Sequence, residues 1–101
     1  PRDGRCRVIP RTLDALRSAV ARVLTARGEA PDALRVDGRA ETNGGIGAPW
    51  YSVVICRSGA PVAHPLGMFV DGNDEAGAVA RAWQRVCERS PEAARAVEAG
   101  E

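Results

Sequence analysis

The sequence predicts an α+β fold: a small antiparallel sheet of three to four strands with two amphipathic helices packed on one face, in the order (β)-α-β-β-β-α-(α). Three observations carry this. Two segments, at about 12–27 and 74–89, repeat apolar residues at helical spacing. Between them "WYSVVICR", residues 50–57, is dense in β-branched and aromatic residues, the composition of a strand. At 101 residues the chain has room for one modest core, which all the elements must share. Residues 1–101 are therefore read as a single domain, with 1–4 a loose N-terminus and 91–101 a short terminal helix or tail.

"RCRVI", residues 5–9, alternates and reads as a short first strand, with Cys6 and Val8 on one face. Thr12 suits a helix N-cap, and Asp14 follows in the first turn, where the helix dipole favours an anion. Leu13, Leu16, Val20, Val23 and Leu24 then form an apolar stripe. Gly28 suits the left-handed position after the helix, and Pro31 prevents its continuation. "ALRVDG" reads as a short strand ending in an Asp37-Gly38 turn, and residues 38–49 carry no periodicity.

After 50–57, Ser58-Gly59 offers a two-residue turn into "APVAHPLGMFVD". Counting back pairs Ile55 with Val62, Val53 with His64 and Tyr51 with Leu66. That register puts Tyr51, Val53, Ile55, Val62, Leu66, Met68 and Val70 on a core face. Trp50, Ser52, Val54, Cys56, Ala63, Pro65 and Phe69 fall on the opposite face. Pro61 and Pro65 lack ladder donors, so the second strand is expected at an edge or bulged. Asn73 is the expected cap of the next helix, with Asp74 and Glu75 in its first turn. Val79, Trp83 and Val86 line its buried stripe, while Arg81, Arg85, Glu88 and Arg89 face away. Ser90-Pro91 restarts a last, weakly docked helix.

All 14 basic residues are Arg, and Ala, Gly, Val and Pro are abundant, as a GC-rich bacterial coding sequence would produce. The net charge of +1 hides an asymmetry: residues 1–40 hold nine Arg against five acids, residues 41–101 five Arg against eight. This is a mildly basic N-terminal half, short of a nucleic-acid-binding tail. No apolar run approaches the roughly 18 residues of a membrane helix, and "PRDGRCRVIP", basic and broken by Pro10, shows no signal-peptide pattern. Three widely spaced cysteines are no disulfide framework, so a reducing cytoplasm is expected.

"ETNGGIGAPW" has the glycines of a phosphate loop but runs into Pro49 and a strand. Such a loop must open on a helix N-terminus, whose free N–H groups hold the anion. Cys6, Cys56, Cys87 and His64 lack zinc-ligand spacing, so no metal and no cofactor are expected. His64 is the only histidine, and no nucleophile or orienting acid stands beside it in the expected register. No catalytic residue is assigned.

The α-β-β-β-α order resembles that of double-stranded-RNA-binding domains in topology. That family starts its last helix with a basic Lys-Lys-x-Ala-Lys run, whereas this one starts "NDEAGAVA", acidic where phosphate would dock. "YSVVI…GMFVDGNDEAGAVARAW" is loosely similar to HicB-type antitoxins, which run strands into a turn and an Ala-rich helix. Neither resemblance carries a diagnostic motif.

The expected activity is that of a small non-enzymatic binding module. It would meet an unknown protein partner or its own copy, as a dimer, through an exposed sheet face. Trp50, Tyr51 and Phe69, with Gly45 and Ile46 of the glycine loop, are the candidate contacts, because uncovered apolar patches mark interfaces. The alternative is nucleic-acid contact through Arg2, Arg5, Arg7 and Arg11 and the helical row Arg81, Arg85 and Arg89. An uncharacterised enzyme is the third reading.

Overall fold

The first helix, α1 (Leu13–Ala26), begins and ends as its sequence directs. Thr12 is extended, and its Oγ1 accepts the Ala15 N–H at 3.1 Å. At the other end Gly28 has φ +82°, the left-handed region that glycine enters without a Cβ clash. The Glu29 N–H then reaches the Leu24 carbonyl at 2.8 Å and the Gly28 N–H the Thr25 carbonyl at 3.0 Å, closing the helix in a Schellman motif.

The computed structural model describes residues 9–41, 49–57, 64–91 and 93. After α1 come β1 (Leu34–Glu41), β2 (Trp50–Arg57), β3 (Met68–Gly72) and α2 (Glu75–Arg89). The strands form an antiparallel sheet in the order β1-β2-β3. This is the small α+β fold that the periodicities predict, with three described strands. Of the fourth, expected at 5–9, only Ile9 is described and it lies in no strand. Within the expected terminal segment Pro91 and Ala93 are helical and Ala93 is fully buried; the rest lies outside the described residues.

The core forms between one sheet face and the two helices. Leu16, Val20, Val23 and Leu24 of α1 meet Val36, Val53, Ile55 and Val70 of the sheet and Val79, Trp83 and Val86 of α2. Ala78 and Ala82 are also fully buried. Their small side chains let α2 lie close to the sheet, and a Cβ on Gly72 would strike the Ala78 backbone. The helices are tied at one corner, where the Glu75 carboxylate accepts the Leu13 N–H at 2.8 Å and so serves as a second cap on α1.

Three expectations are corrected. β1 continues through Gly38 to Glu41 instead of turning at Asp37-Gly38. The reason is steric: a Cβ on Gly38 would come within 2.7 Å of the Tyr51 hydroxyl, so this glycine makes room for a ring rather than for a turn. The β2–β3 register differs by six residues, since Ile55 pairs with Met68, Val53 with Val70 and Tyr51 with Gly72. β3 thus begins beyond Pro61 and Pro65, which have no N–H to give a ladder. Finally, the α2 cap is Asp74 rather than Asn73: its Oδ1 accepts the Gly77 N–H at 2.8 Å.

Candidate functional site: the outer face of the sheet

Because side chains alternate along a strand, the register sets what each sheet face carries. Gly38, Val53 and Val70 stand level on the helix side. One step either way is the outer side. There Asp37, Val54 and Phe69 stand level, as do Arg39, Ser52 and Asp71; Arg35 pairs with Cys56 and Glu41 with Trp50. Among the described residues no helix packs on this side.

The outer face has two zones. β1 supplies only charges, in the order Arg35, Asp37, Arg39, Glu41. Neighbours along the strand pair, Arg35 with Asp37 and Arg39 with Glu41, each at 3.2 Å. Across β2 and β3 the face carries apolar side chains, Trp50 and Val54 half-buried and Phe69 64% exposed, interrupted by Ser52 and Asp71. Cys56 is exposed at its end. Ser52, between Trp50 and Val54 on β2, is buried and donates its hydroxyl to Asp71 on β3 at 2.8 Å. The exposed Phe69 beside the half-buried Val54 is an apolar patch with a polar border, and Trp50 stands four residues farther along β2, beyond Ser52.

Of the candidate contacts, Trp50 and Phe69 lie on this face. Tyr51 does not: it points to the helix side, where its ring lies against Gly38 and packs on the core. Burial there, with Glu75 nearby, pushes its phenol above the usual tyrosine range, against an opposing effect of Arg17. Gly45 and Ile46 lie outside the described residues. Val54, opposite Phe69 in the ladder, joins the patch; the alternation of 50–57 is the signal for it.

Beside Trp50 an open concavity of about 440 Å³ is bordered by Asp71, Gly72, Asn73, Asp74, Gly77 and Arg81. Its two carboxylates are already engaged, Asp71 by Ser52 and Asp74 by the start of α2. This acidic cap occupies the helix N-terminus where an anion would otherwise be held.

His64 is not on a strand facing Val53. It is buried at the start of the turn before β3. Its Nδ1 accepts the Leu66 N–H at 3.0 Å, so Nε2 carries the proton and donates to Glu29 at 2.8 Å. With both ring nitrogens engaged, the imidazole fastens this turn to the end of α1. Glu29 also accepts from Arg27 Nε at 3.0 Å. The His64 bond first, and then Arg27, hold its carboxyl below the usual range. Residue spacing gives no hint of this pair, since its members are 35 positions apart and meet only through the fold. Burial, aided by Glu88, pushes the Cys87 thiol up and away from the reactive thiolate. Among the described residues no three His, Cys, Asp or Glu side chains gather as metal ligands.

Arg11, Arg81, Arg85 and Arg89 are exposed, while Arg2, Arg5 and Arg7 lie outside the described residues. Arg89 is tied to the turn before β3, donating to the Gly67 carbonyl at 2.7 Å, so the helical row is not wholly free for phosphate. Among the described residues no helix is long and apolar enough to cross a membrane. Comparison with protein-family models, with curated proteins and with solved structures finds no match to this chain.

Proposed function

We propose that this chain is a small non-enzymatic binding module that associates with a second copy of itself through the outer face of its sheet. The observation that carries the reading is the 64% exposure of Phe69 beside Val54, on a face that no described helix covers. Apolar side chains on the central strand and one edge strand, with charges along the other edge, fit the apolar core and polar rim of a protein interface. Three strands give a small patch, so the association is weak and reversible. A non-enzymatic role is supported by the engagement of both His64 ring nitrogens and by the raised Cys87 thiol. A reducing cytoplasm suits Cys56 and Cys87, which are free thiols.

The test is the solution mass of the full chain by light scattering across micromolar to millimolar concentration, for the wild type and Phe69→Asp. The wild type is expected to rise toward a dimer and Phe69→Asp to stay monomeric with unchanged circular dichroism. A wild type that remains monomeric throughout contradicts self-association. Nucleic-acid binding is the competing outcome: a steep loss of oligonucleotide affinity with salt, removed by Arg81→Ala beside Trp50, would move the function to the arginines.

A further inference from the structure

The charges on β1 specify how two copies meet. Read along the outer face they are Arg35, Asp37, Arg39, Glu41, and the order of signs inverts when the strand is reversed about Gly38. Position 35 then faces 41, and 37 faces 39. Each of the four charges meets its opposite. A two-fold axis requires such a pattern, because a contact of residue i with j is repeated as j with i.

We infer that two copies stack outer face to outer face about a two-fold axis that crosses the strands at the level of Gly38, Val53 and Val70. β1 lies over the partner's β1, running the other way. Arg35 meets the partner's Glu41 and Asp37 meets the partner's Arg39. Stacked sheets stand about 10 Å apart, a gap that Arg and Glu side chains span together. The same operation sets Val54 and Phe69 one residue from the axis. The two Phe69 rings are then about 7 Å apart along the strand direction and in reach of each other. Asp71, opposite the partner's Phe69, already accepts the Ser52 hydroxyl and sits on the β3 margin. The other two-fold stacking, with the strands parallel, lays β1 over β3. It pairs Arg39 with the partner's Asp71 but leaves Arg35 and Glu41 facing no described charge, whereas the reversed stacking gives all four β1 charges an opposite partner and is therefore the one the face supports. This inference rests on the self-association proposed above and adds its orientation and ion pairs.

Charge reversal tests it on the full chain, with dimer affinity read by sedimentation equilibrium. Arg35→Glu and Glu41→Arg each set like charges against each other twice per dimer and weaken association by about tenfold or more. The double variant Arg35→Glu with Glu41→Arg restores affinity to within about threefold of the wild type, because opposite signs again face each other. The pairs within one chain predict the reverse. Arg35 lies by Asp37 and Glu41 by Arg39, so in the double variant both neighbouring pairs become like-charged. A double variant weaker than either single one overturns the inference. Phe69→Asp separates the remaining cases. If it abolishes the dimer and the double variant does not recover, the face is used in another orientation and only the axis is wrong. If it leaves the dimer intact while the double variant recovers, the copies pair edge to edge along β1, and both the stacking and the face reading fall.

Discussion

Single residues here do work that their spacing in the chain conceals. Glu29 lies just past the glycine that ends α1, where it reads as an ordinary loop acid, yet it receives the buried His64 ring and the Arg27 guanidinium. A carboxyl whose pKa is lowered by folding adds stability that is present above its unfolded value and lost as pH falls through its folded value. For Glu29 the loss sets in below about 4.5, the ordinary value from which it is depressed. Glu29→Gln is therefore expected to lower the urea midpoint at neutral pH. The gap from the wild type should close as pH drops from about 4.5 downward. A gap independent of pH would show that the carboxylate charge has no part in holding the turn. Tyr51 teaches the complementary lesson. Its type suits an interface, but strand alternation places it with Val53 and Ile55, and Gly38 clears space for its ring.

At the scale of elements, what was legible follows from whether the signal is local. Both helices stand within a residue or so of their expected bounds, because their stripes and caps are written within one segment. The ladder between β2 and β3 was not legible, because the chain between them offers a tempting Ser-Gly turn. Only the lost donors of Pro61 and Pro65 argue against that turn. Even so, Trp50, Ser52, Val54, Cys56 and Phe69 stand on the outer side that the alternation predicts. The actual register differs by six, an even number, and an even shift leaves each side chain on its own side of the sheet. The packing of α2 on β3 was illegible for another reason. The closeness of Ala78 to Gly72 is a backbone contact with no periodic signature. Gly72→Ala should accordingly cost about 1–3 kcal/mol through overpacking, seen as a lower denaturant midpoint. A neutral outcome would mean that α2 can move off the sheet without loss.

For the whole molecule, the arrangement leaves a one-sided sheet. Both helices bury the same face, and burial by one layer is all that the described elements provide. The outer face then sorts itself into a charged strand at one edge and, on the other two, an apolar area around Val54 and Phe69. An exposed edge strand invites unwanted pairing, and native proteins blunt such edges with charge. Arg17 contributes to this, donating from Nε to the Val36 carbonyl at 2.8 Å, and the ion pairs of β1 add to it. An edge guarded in this way favours contact through the face, where Phe69 is exposed.

Amide chemical shifts of the isotope-labelled chain on serial dilution report that contact most directly, because they map association residue by residue. Association through the outer face predicts concentration-dependent shifts at Arg35, Asp37, Arg39 and Glu41, at Trp50, Val54 and Cys56, and at Phe69 and Asp71, with α1 and α2 unmoved. Shifts confined to the helices, or none up to millimolar concentration, would contradict it.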